Sequence, residues 1–247
     1  MYFETNNKKI LFDVGESKKI LKNAKKMGIN LEDVDYLILS HGHYDHGGGL
    51  PYFLEVNKKA KIYCSVNYFN KHFKKILGTY IDIGVPHKYM DVERFNLIED
   101  TFELENMTMF HCNNVQNNNP LNECLYTKDE FDDYVKDDFN HELNIIVKED
   151  ENILLTGCAH KGIGNILRRA KELNYDSSVV IGGLHFSSRT TLNKNEEYIK
   201  KSIKKINKYN VRALYTCHCT GDYGVKKLKE YAEALTVQIH AGDREKI

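Results

Sequence analysis

Apolar and polar positions along the chain fall into blocks that read as strand, then helix, then strand again. KKILFDVG reads as a strand ending at Gly15, and SKKILKNAKKMG as an amphipathic helix stopped by Gly28. VDYLILS, residues 34–40, is a short and nearly continuous apolar run, the pattern of a strand buried on both faces. It delivers the chain into HGHYDHGGGL. A helix over LPYFLEVNKK and a strand over KIYCSV follow.

The next stretch, about 67–140, breaks the pattern. Short strand-like pieces, FNLIED and TFELENMTMF, mix there with an Asn-rich run, NNVQNNNP, and an acidic one, KDEFDDYVKDD. This region reads as an insertion or lid, because unusually long loops tend to carry function. Regular alternation then returns. NIIVKEDENILLTGC reads as a hairpin, AHKGIGNILRRAKELN as a helix with a glycine-rich start, and SSVVIGGLH as a buried strand. Tyr198, Ile199, Ile203 and Ile206 line one face of a surface helix. The strand VRALYTCH, the helix VKKLKEYAEAL and the short strand TVQIH finish the chain. With no fixed-period repeat and no Pro, Gly or Ser-rich linker, the expected division is one α/β domain over 1–247.

Composition narrows the function class. The 35 basic residues balance 35 acidic ones, which argues against a polyanion-coating protein and for a small-molecule substrate, with no nucleic-acid partner. The first residues lack the layout of a secretory signal, and no apolar run approaches the roughly 20 residues that span a bilayer, so a cytoplasmic location and no membrane partner are expected. Six scattered cysteines without a C-x-x-C pair are expected to be reduced.

His41-Gly-His43-Tyr-Asp45-His46 carries the chemistry. Three imidazoles and a carboxylate within six residues, directly after a buried strand, form a donor set for a metal. In extended backbone His41 and His43 point to one side and can share one ion, while Asp45 and His46, after the turn, can face a second. The glycines at 47–49 suit a loop with unusual backbone angles or a close approach. Imidazole plus carboxylate without thiolate suits zinc first, with iron or manganese as alternatives, in a site with open positions.

Together with LFDVG upstream and TGCAHKGIGN, IGGLH and YTCHCTG downstream, SHGHYDHGGGL resembles the metallo-β-lactamase superfamily, and within it the dihydropteroate-synthase-like or methanopterin-phosphate-synthase-like branch. The resemblance runs from about residue 3 to the end and implies an αββα four-layer sandwich with a dinuclear metal site at one edge. Relatives usually carry an additional strand before YFET that is absent here, which would leave a sheet edge available for a homo-oligomer. By the same resemblance His41 and His43 match ligands of the first metal, and Asp45 and His46 ligands of the second. Cys158 stands about where the superfamily has a bridging Asp.

The remaining histidines separate by position. His160, two residues past a strand end, is the leading third ligand for the first metal, with His141 as the alternative. His218 leads for the second metal, and His185 would then line the pocket. The order of that pair stays open. Cys158 and Cys219 read as conditional ligands or as small buried residues. His72, His87, His111 and His240 lack partner motifs and are expected in ordinary surface or core roles. Lys161 through Asn165 could hold a phosphate but reads better as a plain helix start.

The expected activity is metal-assisted hydrolysis of a small ester, lactone or phosphoester by hydroxide held between two divalent ions, with Asp45 orienting it. A transferase or synthase acting on a phosphorylated pterin-type precursor is the alternative. A non-catalytic metal or redox sensor is the reading from another class.

Overall fold

The computed structural model describes residues 1–89, 93–116, 119–187 and 195–247. Contacts divide the chain into two units, the first made of Met1–Asp100, Leu125–Leu143 and His240–Ile247, the second of Thr101–Cys124 and Asn144–Ile239.

In the first unit, Ile10, Leu11 and Phe12 are buried together, as a strand covered on both faces requires. That strand, Lys8–Phe12, pairs antiparallel with Tyr2–Thr5 at the edge. It is followed by three parallel strands, Tyr36–Ile38, Lys61–Ser65 and Phe95–Ile98. The helix Lys19–Met27 ends where Gly28, at φ 70°, turns left-handed and returns its N–H to the last turn, as the glycine stop predicts. Leu50, Phe53, Leu37 and Ile62 fill the core between the helices and this sheet.

Seven strands lie within the predicted insertion among the described residues. Tyr134–Lys136, Leu125–Lys128, His72–Ile76 and Thr79–Asp82 form a small antiparallel sheet in that order. Leu77 and Gly78, both at positive φ, close its hairpin in the manner of a two-residue primed turn. The other pieces of the stretch extend the larger sheets, which is why the sequence pattern there looked mixed. Phe95–Ile98 joins the first unit's sheet, and the hairpin Thr101–Leu104 with Met107–His111 belongs to the second.

The second unit is built on a seven-stranded sheet. Its order is Leu235–Gln238, Ala213–Thr216, Ser177–Gly182, Asn152–Thr156, Leu143–Lys148, Met107–His111, Thr101–Leu104. The first four strands are mutually parallel, and the predicted hairpin appears as the antiparallel pair Leu143–Lys148 and Asn152–Thr156. Helices Ile163–Glu172, Glu196–Ile206 and Gly221–Tyr231 follow successive strands, and Ile166, Ile199, Ile203 and Leu228 bury their apolar sides with Leu154, Val180 and Leu214. Parallel strands joined by helices put their carboxyl ends at one edge, the usual ligand-binding edge of such sheets. All six cysteines are free thiols. Among the described residues, no helix is long and apolar enough to cross a membrane.

Candidate metal centre

The predicted motif leaves the Tyr36–Ile38 strand and enters a short helix, Tyr44–Gly47, with His43 in extended conformation just before it. His41, His43 and His46 are buried and Asp45 is half-buried. The His41 ring lies 4.7 Å from that of His43 and 4.1 Å from that of His46, centroid to centroid.

Asp13, from LFDVG, organises this group. Its Oδ1 accepts the Ser40 backbone N–H at 2.7 Å, and its Oδ2 accepts the Ser40 hydroxyl at 2.7 Å and His46 Nδ1–H at 2.6 Å. The Ser40 hydroxyl donates its hydrogen bond to Asp13, so at 2.8 Å its oxygen accepts a hydrogen bond from His41 Nδ1–H. Both rings therefore carry their lone pair on Nε2. A carboxylate on one ring nitrogen that orients the other is the usual support of a metal-binding histidine. The sequence quoted Asp13 only as part of a motif. Its role shows only when the strands pair, because 33 residues separate it from His46.

The three glycines serve close approach and not unusual angles. None of Gly47, Gly48 and Gly49 has positive φ. A Cβ on Gly47 would come within 2.1 Å of Tyr68 Oη, one on Gly48 within 2.4 Å of Glu16 O, and one on Gly49 within 2.3 Å of Val14 O. Gly49 N–H donates to Gly15 O at 2.7 Å and Val14 N–H to His46 O at 3.0 Å, so the strand end clasps the motif helix.

A second cluster in this unit joins His43 to His72, Asp137 and His141, whose candidate ligand atoms all lie within 4.8 Å of one another. His72 was expected to be ordinary, yet its Nδ1–H donates to Asp137 Oδ2 at 3.0 Å. His141 Nε2 lies 3.3 Å from the same oxygen, and its Nδ1 accepts the Gly42 backbone N–H at 2.9 Å. Burial would raise the Asp137 carboxyl, but His141 and His72 beside it hold it well below the usual carboxylate range. Burial, reinforced by His72, pushes His141 down to about 4. Burial first, then His141 and His72, pushes His43 well below 6.5. His43 and His141 are therefore neutral at pH 7, the form that binds metals and accepts hydrogen bonds. Nothing local in HFKKI or in the acidic run signals that His72 and Asp137 meet.

In the second unit, Cys158, His160 and His185 bring their donor atoms within 4.8 Å of one another. His160 Nδ1–H donates to Asn122 Oδ1 at 3.1 Å and Asn122 Nδ2 returns a bond to His160 O at 2.9 Å, which leaves the ring lone pair on Nε2. The His185 ring lies 4.3 Å from that of His160, and among the described residues both of its nitrogens are buried without a hydrogen-bond partner. Its backbone N–H meets Cys219 Sγ at 3.3 Å and its carbonyl accepts Asn119 Nδ2 at 3.2 Å. Burial would raise the Cys219 thiol, but Cys158, His185 and His218 around it hold it well below the usual thiol value. His218 is exposed, at the head of the turn His218–Thr220 beyond the Ala213–Thr216 strand.

Backbone strain concentrates at these strand ends. Ala159, His185 and His218 have φ of 52°, 48° and 53°, each just after one of three adjacent parallel strands. Left-handed backbone at residues other than glycine costs on the order of 1 kcal/mol or more and persists where surrounding contacts enforce it, often at functional sites. Among the other histidines, His111 is buried at a strand end and His240 is exposed, as expected, while the side chain of His87 lies outside the described residues.

These imidazole and carboxylate clusters at the strand ends of an α/β fold are candidate metal sites, and comparison with known proteins gives the family. The model of the metallo-β-lactamase superfamily matches residues 1–114. The chain is 30% identical over 237 residues to an uncharacterized protein of Methanocaldococcus jannaschii, covering 92% of this chain and 85% of that one. It is also 30% identical over 252 residues to that organism's 7,8-dihydropterin-6-methyl-4-(β-D-ribofuranosyl)-aminobenzene-5'-phosphate synthase, covering 95% and 83%. The crystal structure of Tm1679, a metal-dependent hydrolase of the β-lactamase superfamily, superposes with a TM-score of 0.79 at 26% identity, covering 99% of this chain and 93% of that one. The chain belongs to the metallo-β-lactamase superfamily and has its α/β fold, as the motifs implied.

Proposed function

We propose that the protein is a metal-dependent hydrolase of a small ester, lactone or phosphoester. By the resemblance, its ligands for two divalent cations are His41, His43, Asp45, His46, His160 and His218, the metal being zinc by the chemistry of the donor set. The observation that carries this reading is the Asp13–Ser40 network, which turns the Nε2 lone pairs of His41 and His46 away from their protein partners and toward an ion. His160, oriented by Asn122 in the same manner, is supported over His141, whose Nδ1 is taken by Gly42 and whose proton is therefore on Nε2.

Divalent cations held there supply Lewis acidity that polarises the scissile carbonyl or phosphoryl oxygen and lowers the pKa of water toward about 7. Asp45 accepts a hydrogen bond from the attacking water and fixes its direction. His185, whose two buried ring nitrogens have no hydrogen-bond partner among the described residues, hydrogen-bonds the substrate. Cys158 adds a soft donor beside His160.

The 30% identity to a protein named as a phosphate synthase favours a second reading, displacement on a phosphorylated pterin-type precursor with the same ligands. Metal analysis, with turnover of phosphodiester, phosphomonoester and lactone substrates by the wild type and His46→Ala, tests both. The hydrolase reading predicts two metal equivalents and turnover that His46→Ala abolishes. Activity surviving that substitution rejects the metal mechanism, and metal without turnover of any of these substrates favours the synthase or a sensor.

A further inference from the structure

His43, His72, Asp137 and His141 have the composition of a cation site, but their hydrogen bonds describe something else. Gly42 N–H donates to His141 Nδ1 at 2.9 Å, so that nitrogen holds the lone pair and the neutral ring carries its proton on Nε2. A protonated nitrogen cannot ligate a metal. His141 Nε2–H instead faces Asp137 Oδ2 at 3.3 Å, the oxygen that already accepts His72 Nδ1–H at 3.0 Å. Asp137 Oδ1 accepts the Phe139 backbone N–H at 2.8 Å, which fixes the carboxylate.

The other end of this run of contacts is the middle residue of H-x-H. Gly42 sits between the two predicted ligands of the first metal, and its N–H direction sets the plane of the His41–Gly42 peptide, one of the two that join them. It is also held sterically, since a Cβ there would come within 2.1 Å of Tyr68 O and 2.7 Å of His72 Nε2. A backbone path runs in parallel: Ile83 N–H donates to His72 O at 2.8 Å, and Tyr44 N–H donates to Ile83 O at 2.8 Å. Both routes start in or beside the small sheet and end on the motif.

We propose that Asp137 and His141 are positioning residues, which with His72 anchor the Gly42 peptide and so set the angle at which His41 and His43 present their rings. The small sheet and the segment after it thereby act as a brace for the metal-binding loop. The proposal rests on reading His41 and His43 as ligands, and its test separates the two.

Long-range ¹H–¹⁵N spectra of the metal-free protein read the ring tautomers directly. The expected result is His141 protonated on Nε2 and His72 on Nδ1. His141 protonated on Nδ1 overturns the proposal whether or not the protein binds metal. Cobalt affinity, measured by chelator competition, then reads the consequence. His141→Ala should weaken cobalt binding by about 10- to 100-fold, the usual cost of losing an outer-shell partner. His141→Asn, whose Oδ1 can accept the Gly42 N–H from the position of Nδ1, should recover to within about threefold of wild type. Equal affinity for all three proteins overturns the brace. So does one cobalt equivalent fewer in His141→Ala with no rescue by Asn, the result expected if the four residues are themselves a cation site. Wild-type protein that binds no cobalt refutes the ligand reading, and the tautomer spectra still decide the hydrogen-bond chain.

Discussion

The two units orient their histidines by different means. In the first, side chains hold side chains: Asp13 and Ser40 fix His41 and His46, while Asp137 gathers His72 and His141. In the second, the Asn122 side chain holds the His160 ring, Asn119 and Cys219 hold the His185 backbone, and the chain turns left-handed at Ala159, His185 and His218. A network of buried polar groups is sensitive to charge and to single-atom changes. A strained backbone is sensitive to the freedom of the chain.

Acid should separate them most strongly. His141 falls to about 4 in the folded protein against an ordinary 6.5, so the unfolded chain takes up its proton first as pH drops. Its contribution is complete above pH 6.5 and is lost progressively as pH falls toward about 4. Urea unfolding of wild type should lose about 2 kcal/mol more between pH 7 and pH 5 than that of His141→Asn. Equal losses would mean that this histidine titrates normally.

Removing one oxygen's charge should come next. Asp13→Asn places an amide against Ser40 and His46, and metal affinity should drop by about 10- to 100-fold with the fold intact by circular dichroism. Asn122→Ala should fall at the lower end, about 10-fold, because the backbone continues to hold His160. If Asn122→Ala costs as much as Asp13→Asn, the distinction between the units fails.

The smallest effect tests the backbone itself. Ala159→Gly exchanges left-handed strain for unfolded-state entropy, two terms of similar size and opposite sign, so thermal stability should change by less than about 1 kcal/mol. A shift of several kcal/mol in calorimetry would show that Ala159 contributes through packing and not through its backbone conformation.

The same contrast explains what the sequence disclosed. Strands and helices of the regular α/β stretches were legible because each carries its own period and stop, as the helix closed by Gly28 does. H-x-H-x-D-H was legible because its donors are adjacent. His72 and Asp137 were not, since they meet across 65 residues and no spacing rule links them. The left-handed residues were hidden for a different reason: Ala159, His185 and His218 are not glycines, and non-glycine residues adopt such angles only in a small minority of positions. The four strands of the small sheet lay in a stretch whose neighbouring pieces belong to other sheets, so no single pattern covered it.

The clasp between Asp13 and His46 spans 33 residues, whereas the bond from Gly42 to His141 spans 99. Loop-closure entropy grows as the logarithm of length, so the longer connection costs about 1 kcal/mol more to close. The H-x-H-x-D-H loop is thus fastened by a short tether and a long one, and the long one is expected to open first. In hydrogen exchange the Gly42 amide would mark that event, exchanging ahead of the Val14 and Gly49 amides that hold the short tether shut.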